Sequence, residues 1–222
     1  MIIINTPQNP SGTIFSEADM LELQKLTEET DIIVLSDEVY EHIVFDGKQH
    51  QSICLFSDLK SRSFITVSFG KTFHNTGWKL GYCCAPKTLM DEFRKVHQFN
   101  VFSVNHPVQI ALAEYLQDDN NYKMLPDFFQ QKRDLFLNSI KDSRFKFAPS
   151  QGTYFQVLDY SEITEESDIE FAKRLTIDYK IAAIPMSVFN ANLEDYKVLR
   201  FCFAKTDDTI KQAAEILNGI KI

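Results

Sequence analysis

The chain has 222 residues, of which 44% are hydrophobic and 13% aromatic, so it is long and apolar enough to bury a core. It carries 23 Lys and Arg against 31 Asp and Glu, a formal net charge of −8. A negative field repels nucleic acids and anionic lipid surfaces, so we expect neither as a partner. The apolar runs fall well short of the roughly 18 to 20 residues that a membrane span needs, and no signal-peptide pattern opens the chain.

The cysteines indicate a reducing environment. The four cysteines are Cys54, Cys83, Cys84 and Cys202. Their spacing matches neither the paired C-x-x-C spacing of a zinc site nor the framework of a disulfide-rich protein. Cys83 and Cys84 lie in an apolar run, which favours reduced, buried thiols. We therefore expect a cytoplasmic protein without a bound metal.

Residues 1–140 show the alternation of strands and helices that is typical of an α/β sheet. Continuous apolar runs predict strands over 1–4, 32–35, 64–68 and 80–85. Helical spacing predicts helices over 16–30, 87–99 and, with an interruption at 118–121, 107–139. Strands that are apolar on both faces are typical of parallel sheets covered by helices. The prediction is a mixed or parallel sheet with helices on both faces.

The pattern changes in residues 141–222. Alternating apolar and polar residues predict half-exposed strands over 145–147, 152–157 and 198–203, accompanied by helices over 169–179 and 209–217. We therefore predict a large domain over 1–140 and a small α+β domain over 141–222.

The residues that can carry chemistry follow predicted strands, where ligands bind in open α/β sheets. The loop after the strand at 64–68 contains Ser68, Lys71 and Lys79. A hydroxyl and a cation suit a phosphate monoester, and the lysine between them suits imine formation with an aldehyde. Each residue alone also fits a solvated polar position.

Asp37 ends the strand at 32–35, and Tyr40 follows three residues later. The aspartate alone also fits the role of a turn cap. A carboxylate beneath a pyridine nitrogen, however, keeps that nitrogen protonated and makes the ring an electron sink. Tyr40 can donate its phenol to an oxygen on such a ring. Asn9, in a Pro/Gly-rich turn, can reach the same oxygen through its amide or serve the turn alone.

Three phrases carry a family resemblance. Asn5 to Gly12 matches Asn-x-Pro-x-Asn-Pro-Ser-Gly, Ser36 to Tyr40 matches Ser-Asp-Glu-x-Tyr, and Ser68 to Thr72 matches Ser-Phe-Gly-Lys-Thr. The chain resembles the class I and II aminotransferases of fold type I, which use pyridoxal 5′-phosphate (PLP). Further phrases resemble the bacterial methionine aminotransferases and the kynurenine aminotransferase group, at 76–82, 102–105, 152–155, 183–189 and 200–205.

The resemblance implies roles for single residues. Lys71 would form the Schiff base with PLP and move a proton, and Arg200 would clamp the substrate carboxylate, with Asn9 also facing substrate. Lys79 stands where many members carry arginine. The reaction implied is transfer of an amino group from an L-amino acid to a 2-oxo acid in a homodimeric enzyme. Methionine or another apolar or aromatic side chain is favoured, with Tyr154 and Phe189 lining its pocket.

The resemblance also predicts that the chain is N-terminally truncated. The family's glycine-rich, phosphate-binding loop has no counterpart in it, so we expect a fragment that binds PLP weakly and turns over little. Two alternatives remain open at this stage. One is a PLP-dependent carbon–sulfur β-lyase on the same scaffold, and the other is a non-catalytic binding protein built on an aminotransferase remnant.

Overall fold

A computed structural model describes residues 1–220, which form two compact units. The first comprises Met1–Gln8 and Thr13–Pro126, and the second comprises Asn9–Gly12 together with the described residues from Asp127 onward. The domain boundary predicted between residues 140 and 141 lies further along the chain and stays a prediction.

The first unit contains a four-stranded sheet in the order β1-β2-β3-β4. Strands β1 (Ile2–Asn5), β2 (Val34–Asp37) and β3 (Ser63–Ser68) are parallel, and β4 (Gly81–Cys84) runs antiparallel to β3. All four predicted strands are confirmed, as is the mixed sheet. The register of β1 and β2 pairs Asn5 with Asp37. Because β2 and β3 are paired and parallel, their carboxyl ends lie side by side at the same edge of the sheet.

Three helices of the first unit, which start at Glu17, Lys87 and His106, begin within one residue of the predicted positions, whereas the short helices Ser57–Ser61 and Phe69–Thr72 were not predicted. Ser16 caps α1 (Glu17–Thr27): its Oγ accepts from the Asp19 N–H at 3.2 Å, and the Asp19 carboxylate accepts from the Ser16 N–H at 2.8 Å. Met20 is fully buried in a core cluster that also includes Ile4, Val34, Ile53, Phe56 and Leu59. The remaining helices are α2 (Ser57–Ser61), α3 (Phe69–Thr72), α4 (Lys87–Asn100), α5 (His106–Tyr115) and α6 (Asn120–Lys123), with 3-10 helices at Ile53–Leu55 and Thr76–Trp78.

The second unit is α+β. Its antiparallel sheet has the order β5-β7-β6, formed by β5 (Phe155–Asp159), β6 (Ile184–Pro185) and β7 (Val198–Cys202). Most of α7 (Leu125–Ile140) belongs to it, together with α8 (Asp168–Asp178), α9 (Asp207–Gly219) and a 3-10 helix at Ser187–Phe189. The strand predicted over 145–147 is wrong, because Lys146 forms only an isolated bridge with Asp159.

Gly12 attaches the short segment Asn9–Gly12 to the second unit. Its carbonyl accepts hydrogen bonds from the N–H groups of Gln151 (2.8 Å) and Gly152 (3.0 Å). The residue has a φ of 73°, and a Cβ placed on it would lie 2.6 Å from the Ser150 Cβ. Both the backbone angle and the close contact therefore require glycine.

The four cysteines are free, and Cys84 is exposed while Cys83 is partly buried. The prediction of two buried thiols is thus wrong for Cys84, because β4 lies at the edge of the sheet, where fewer side chains cover it. Within residues 1–220, no helix is long and apolar enough to cross a membrane. The same part of the chain has no cluster of His, Cys, Asp and Glu side chains that could hold a metal ion.

Candidate active site

Backbone and side-chain hydrogen bonds fix Asp37 at the end of β2. Its carbonyl accepts from Asn5 Nδ2 at 2.8 Å and from the Thr6 N–H at 3.1 Å. Its Oδ1 accepts from the Val39 N–H at 3.3 Å, and the side chain is partly buried. The carboxylate is therefore held at the sheet edge predicted to bind a ligand.

The electrostatic environment of Asp37 favours a cationic partner. Burial raises the pKa of the Asp37 carboxyl, and the charge of Glu38 adds to this rise. The Val39 N–H and the Lys71 ammonium lower the pKa, but the net result stays above the ordinary value. Asp37 and Lys71 are thus close enough to interact electrostatically. A carboxylate with reduced hydration is stabilised by a nearby positive charge, so this site fits the protonated nitrogen of a pyridine ring.

The loop that carries Lys71 folds tightly onto itself. β3 ends at Ser68, and the single turn α3 follows at once, with Lys71 in that turn. A Cβ on Gly70 would lie 2.9 Å from the Thr76 Cα, and the Gly70 carbonyl accepts from the Asn75 N–H at 3.2 Å. Gly70 therefore permits the close approach that keeps Lys71 beside the end of β3.

Ser68 and Lys79 offer uncommitted polar groups. The Ser68 side chain makes no capping hydrogen bond, and Lys79 is exposed, with a left-handed backbone at φ 53° and ψ 46°. Among the described residues, neither the Ser68 Oγ nor the Lys79 Nζ has a hydrogen-bond or ion-pair partner. A free hydroxyl and a free ammonium are donors suited to a phosphate. The first unit thus presents groups that fit a phosphorylated pyridine aldehyde.

Tyr40 is almost completely buried, with 2% of its surface exposed. It lies three residues beyond Asp37, in the turn that follows β2. A buried tyrosine normally keeps its hydroxyl hydrogen-bonded. Its donation to a cofactor oxygen stays a prediction.

The second unit brings Asn9 and Arg200 together. Arg200 lies in β7, and its Nη1 donates to the Asn9 Oδ1 at 2.6 Å. Its guanidinium carbon stands 4.1 Å from the centre of the Phe155 ring and 5.8 Å from that of Phe189. Within residues 1–220, Asn9 is the one hydrogen-bond partner of this guanidinium, so its other N–H groups remain for a carboxylate.

Sequence reasoning missed the network around Glu38. This carboxylate is fully buried and accepts from Ser36 Oγ (2.8 Å) and the Ile53 N–H (3.0 Å), and it pairs with His50 Nε2 (2.8 Å). Burial raises its pKa, but His50 and the other hydrogen bonds outweigh burial and hold the pKa below its ordinary value. The motif Ser-Asp-Glu-x-Tyr contained the signal, because an acidic residue beside a buried strand needs partners.

Two further residues at the site lacked an assigned role. Asn5 holds the Asp37 carbonyl, and Phe155 stacks on Arg200. Both lie in phrases that carried the family resemblance. Their contacts join residues 32 and 45 positions apart in the sequence, so local patterns could not reveal them.

Comparison with known proteins decides the family. The model of the family described as aminotransferase class I and II matches residues 1–217. The chain belongs to the class I and II aminotransferases. Members of this family depend on PLP, in agreement with the donors described above.

Two individual relatives of this chain are also aminotransferases. The chain is 46% identical to the methionine aminotransferase of Escherichia coli, over 99% of this chain and 57% of that protein. It is 34% identical to kynurenine–oxoglutarate transaminase 3 of Bos taurus, over 98% of this chain and 52% of that protein.

Structural comparison supports the fold type I prediction. A crystal structure from Escherichia coli, reported to identify a methionine aminotransferase function, superposes with a TM-score of 0.95 and 46% identity. The match covers 98% of this chain and 58% of that one. The chain thus spans a little more than half the length of the aminotransferases that it matches.

Proposed function

We propose that this chain is part of a PLP-dependent aminotransferase, which moves an amino group from an L-amino acid to a 2-oxo acid. The observation that carries the proposal is the position of Asp37 at the end of β2 and of Lys71 in the turn that directly follows β3, the neighbouring parallel strand. The two side chains also interact electrostatically, so an amine and a partner for a pyridine nitrogen lie at one end of the sheet. Family membership over residues 1–217 supports the reaction class.

The proposed cofactor-binding residues would contact different groups of PLP. When bound, PLP supplies an aldehyde that takes up an amino group and a ring that accepts electrons. Asp37 would keep the ring nitrogen protonated, and Ser68 and Lys79 would bind the phosphate. The family resemblance implies that Tyr40 and Asn9 would hydrogen-bond the ring oxygen.

Proton transfer and substrate binding fall to Lys71 and Arg200. With PLP bound, the Lys71 Nζ would take the proton from the substrate Cα as a general base and would then donate it as a general acid. The Arg200 guanidinium binds the substrate carboxylate through the donors that Asn9 leaves open. Fixing the carboxylate orients the bond that must break, which is a large part of the rate enhancement.

We propose an amino donor with an apolar side chain, such as methionine or an aromatic amino acid. Two observations support this choice. Phe189 is 51% exposed and lies beside Arg200, the residue proposed to bind the substrate carboxylate. The relatives of 46% and 34% identity are named for methionine and kynurenine transamination.

The cellular setting and assembly are further proposals. The free cysteines and the acidic composition support a cytoplasmic protein whose partners are amino acids and 2-oxo acids, without nucleic acid or membrane. The homodimer follows from the family resemblance, and the domain boundary after residue 140 follows from the change in residue pattern there. Light scattering coupled to size-exclusion chromatography tests the dimer.

The activity is tested by loading the protein with PLP and supplying L-methionine and a 2-oxo acid. Mass spectrometry follows both products, the keto acid of methionine and the new amino acid. We expect both products, formed at a low rate, from the unmodified protein and from Lys95→Ala, which alters an exposed lysine paired with Glu92. Lys71→Ala should form neither.

Two results would overturn the assignment. Equal turnover by Lys71→Ala would remove the lysine from the reaction. Formation of pyruvate and ammonia from cystathionine, without amino transfer from methionine, would show the β-lyase instead.

A further inference from the structure

Asp168 is a buried carboxylate whose position is not explained by the proposed roles. It is the first residue of α8 and only 1% exposed. Burying a charged carboxylate is costly unless hydrogen bonds replace its water. The helix N-terminus provides partial compensation through its dipole.

Ser187 supplies the partners of this carboxylate. Asp168 Oδ2 accepts from the Ser187 N–H at 2.7 Å, and Oδ1 accepts from the Ser187 O–H at 2.8 Å. Ser187 is itself 4% exposed. A carboxylate that binds both the backbone and the side chain of one residue fixes the direction of the turn that starts there.

The turn that Asp168 fixes places Phe189 beside Arg200. Ser187 and Phe189 are the two ends of one 3-10 helix, closed by the Phe189 N–H bonding to the Met186 carbonyl at 3.1 Å. The Phe189 ring is half exposed while its centre lies 5.8 Å from the Arg200 guanidinium carbon. An exposed apolar ring beside a carboxylate-binding arginine suits a ligand that combines a carboxylate with an apolar side chain.

We propose that Asp168 is a positioning residue for substrate selectivity. Through Ser187 it holds Phe189 beside Arg200, and so favours carboxylate ligands that carry an apolar side chain over those that do not. The inference rests on the proposed function, in which Arg200 binds the substrate carboxylate.

The test compares L-methionine with L-alanine, which has too short a side chain to use an apolar pocket. The measured quantity is the ratio of their kcat/KM values in the unmodified protein, Asp168→Asn, Ser187→Ala and Phe189→Ala. We expect a ratio about 10-fold lower in Asp168→Asn and Phe189→Ala, at the lower end of what a hydrophobic pocket gains per methylene group. Ser187→Ala should show a smaller fall, because the Ser187 N–H still binds Asp168.

A matched control changes a charge in the same helical turn. Glu170→Gln alters an exposed carboxylate paired with Lys173 and should leave the ratio unchanged. The combination of Asp168→Asn with Phe189→Ala should lower the ratio no further than Phe189→Ala alone, since both changes act through one ring.

Calorimetry provides a readout that needs no turnover. Binding of 4-(methylthio)butanoate relative to propanoate should weaken in the same variants by the same factor. Melting temperatures measured in parallel distinguish an effect on selectivity from an effect on folding. If Asp168→Asn does not fold, Ser187→Ala and Phe189→Ala still test the inference.

Two outcomes would overturn the inference. In the first, Asp168→Asn lowers the melting temperature but leaves the ratio of the kcat/KM values unchanged. In the second, Asp168→Asn lowers this ratio by the same factor whether Phe189 is present or replaced by alanine. Lack of transamination by the unmodified protein would instead count against the proposed function. The calorimetric comparison would still decide the role of Asp168 in that case.

Discussion

Arg200 Nη1 donates a 2.6 Å hydrogen bond to Oδ1 of Asn9, a residue 191 positions earlier in the chain. The bond occupies one donor of the guanidinium and limits its rotation. With Phe155 4.1 Å away, the guanidinium is held by a ring face as well as by the hydrogen bond. An arginine ordered before a ligand arrives loses less conformational freedom on binding.

Replacing Arg200 by lysine should raise KM for the amino acid substrate. Lysine keeps the charge but cannot bind a carboxylate through two parallel N–H groups. We expect KM to rise about 10- to 100-fold, the equivalent of losing one charge-assisted hydrogen bond. Steady-state kinetics check this, with Arg174→Lys, at an ion pair with Glu166, as control. An unchanged KM would mean that Arg200 does not bind the substrate.

Replacing Asp37 by asparagine should abolish most of the activity while leaving the fold intact. The amide cannot stabilise a protonated pyridine nitrogen, so the ring loses its power to accept electrons. We expect kcat to fall by at least about 10²-fold, the usual cost of removing one preorganised electrostatic group. Rapid-mixing measurements of a single half-reaction check the rate, and the exposed Asp31→Asn is the control. Full activity in Asp37→Asn would contradict the assigned role.

Gly70→Ala should disturb the loop that holds Lys71, whereas Gly77→Ala should not. The added methyl group would lie 2.9 Å from the Thr76 Cα and 3.3 Å from Ser68 Oγ, so the loop must shift. No atom lies within 4 Å of the corresponding position at Gly77. We expect Gly70→Ala to lose about 1–3 kcal/mol of unfolding free energy, the typical effect of overpacking. Urea unfolding and equilibrium PLP binding measure the two consequences. Equal behaviour of the two variants would argue against a tight loop.

Glu38→Gln should reduce stability near neutral pH and should matter less in acid. The pKa of Glu38 is held below its ordinary value of 4.5, so its ionised form stabilises the fold above that pH. This contribution is lost as the pH falls through the lowered pKa. We expect a deficit of about 2 kcal/mol at pH 7, as for hydrogen bonds to a charged group.

Urea unfolding at pH 7, 5 and 4 measures the Glu38 effect. The deficit of Glu38→Gln relative to the unmodified protein should shrink at the lowest pH. Glu22→Gln, an exposed change in α1, should show no such trend. A deficit that stays constant with pH would rule out a contribution from the ionised carboxylate.

The sequence alone determined the elements that depend on local periodicity. The apolar runs ending at Asp37 and Ser68 became adjacent parallel strands, and the capping residues at Ser16 began a helix where predicted. The residue phrases around Asn9, Asp37 and Lys71 determined the family. These signals lie within a few residues of one another, where sequence spacing translates directly into distance.

Only the tertiary structure decided which distant residues meet. The pairing of Asn9 with Arg200, the buried bond between Glu38 and His50, and the hold of Asp168 on Ser187 each join separate segments of the chain. β6 has two residues and no periodicity of its own, so it forms only because β7 offers it partners. Such contacts depend on strand register and helix packing, which the whole fold sets at once, and a buried polar group takes the partners that this fold provides.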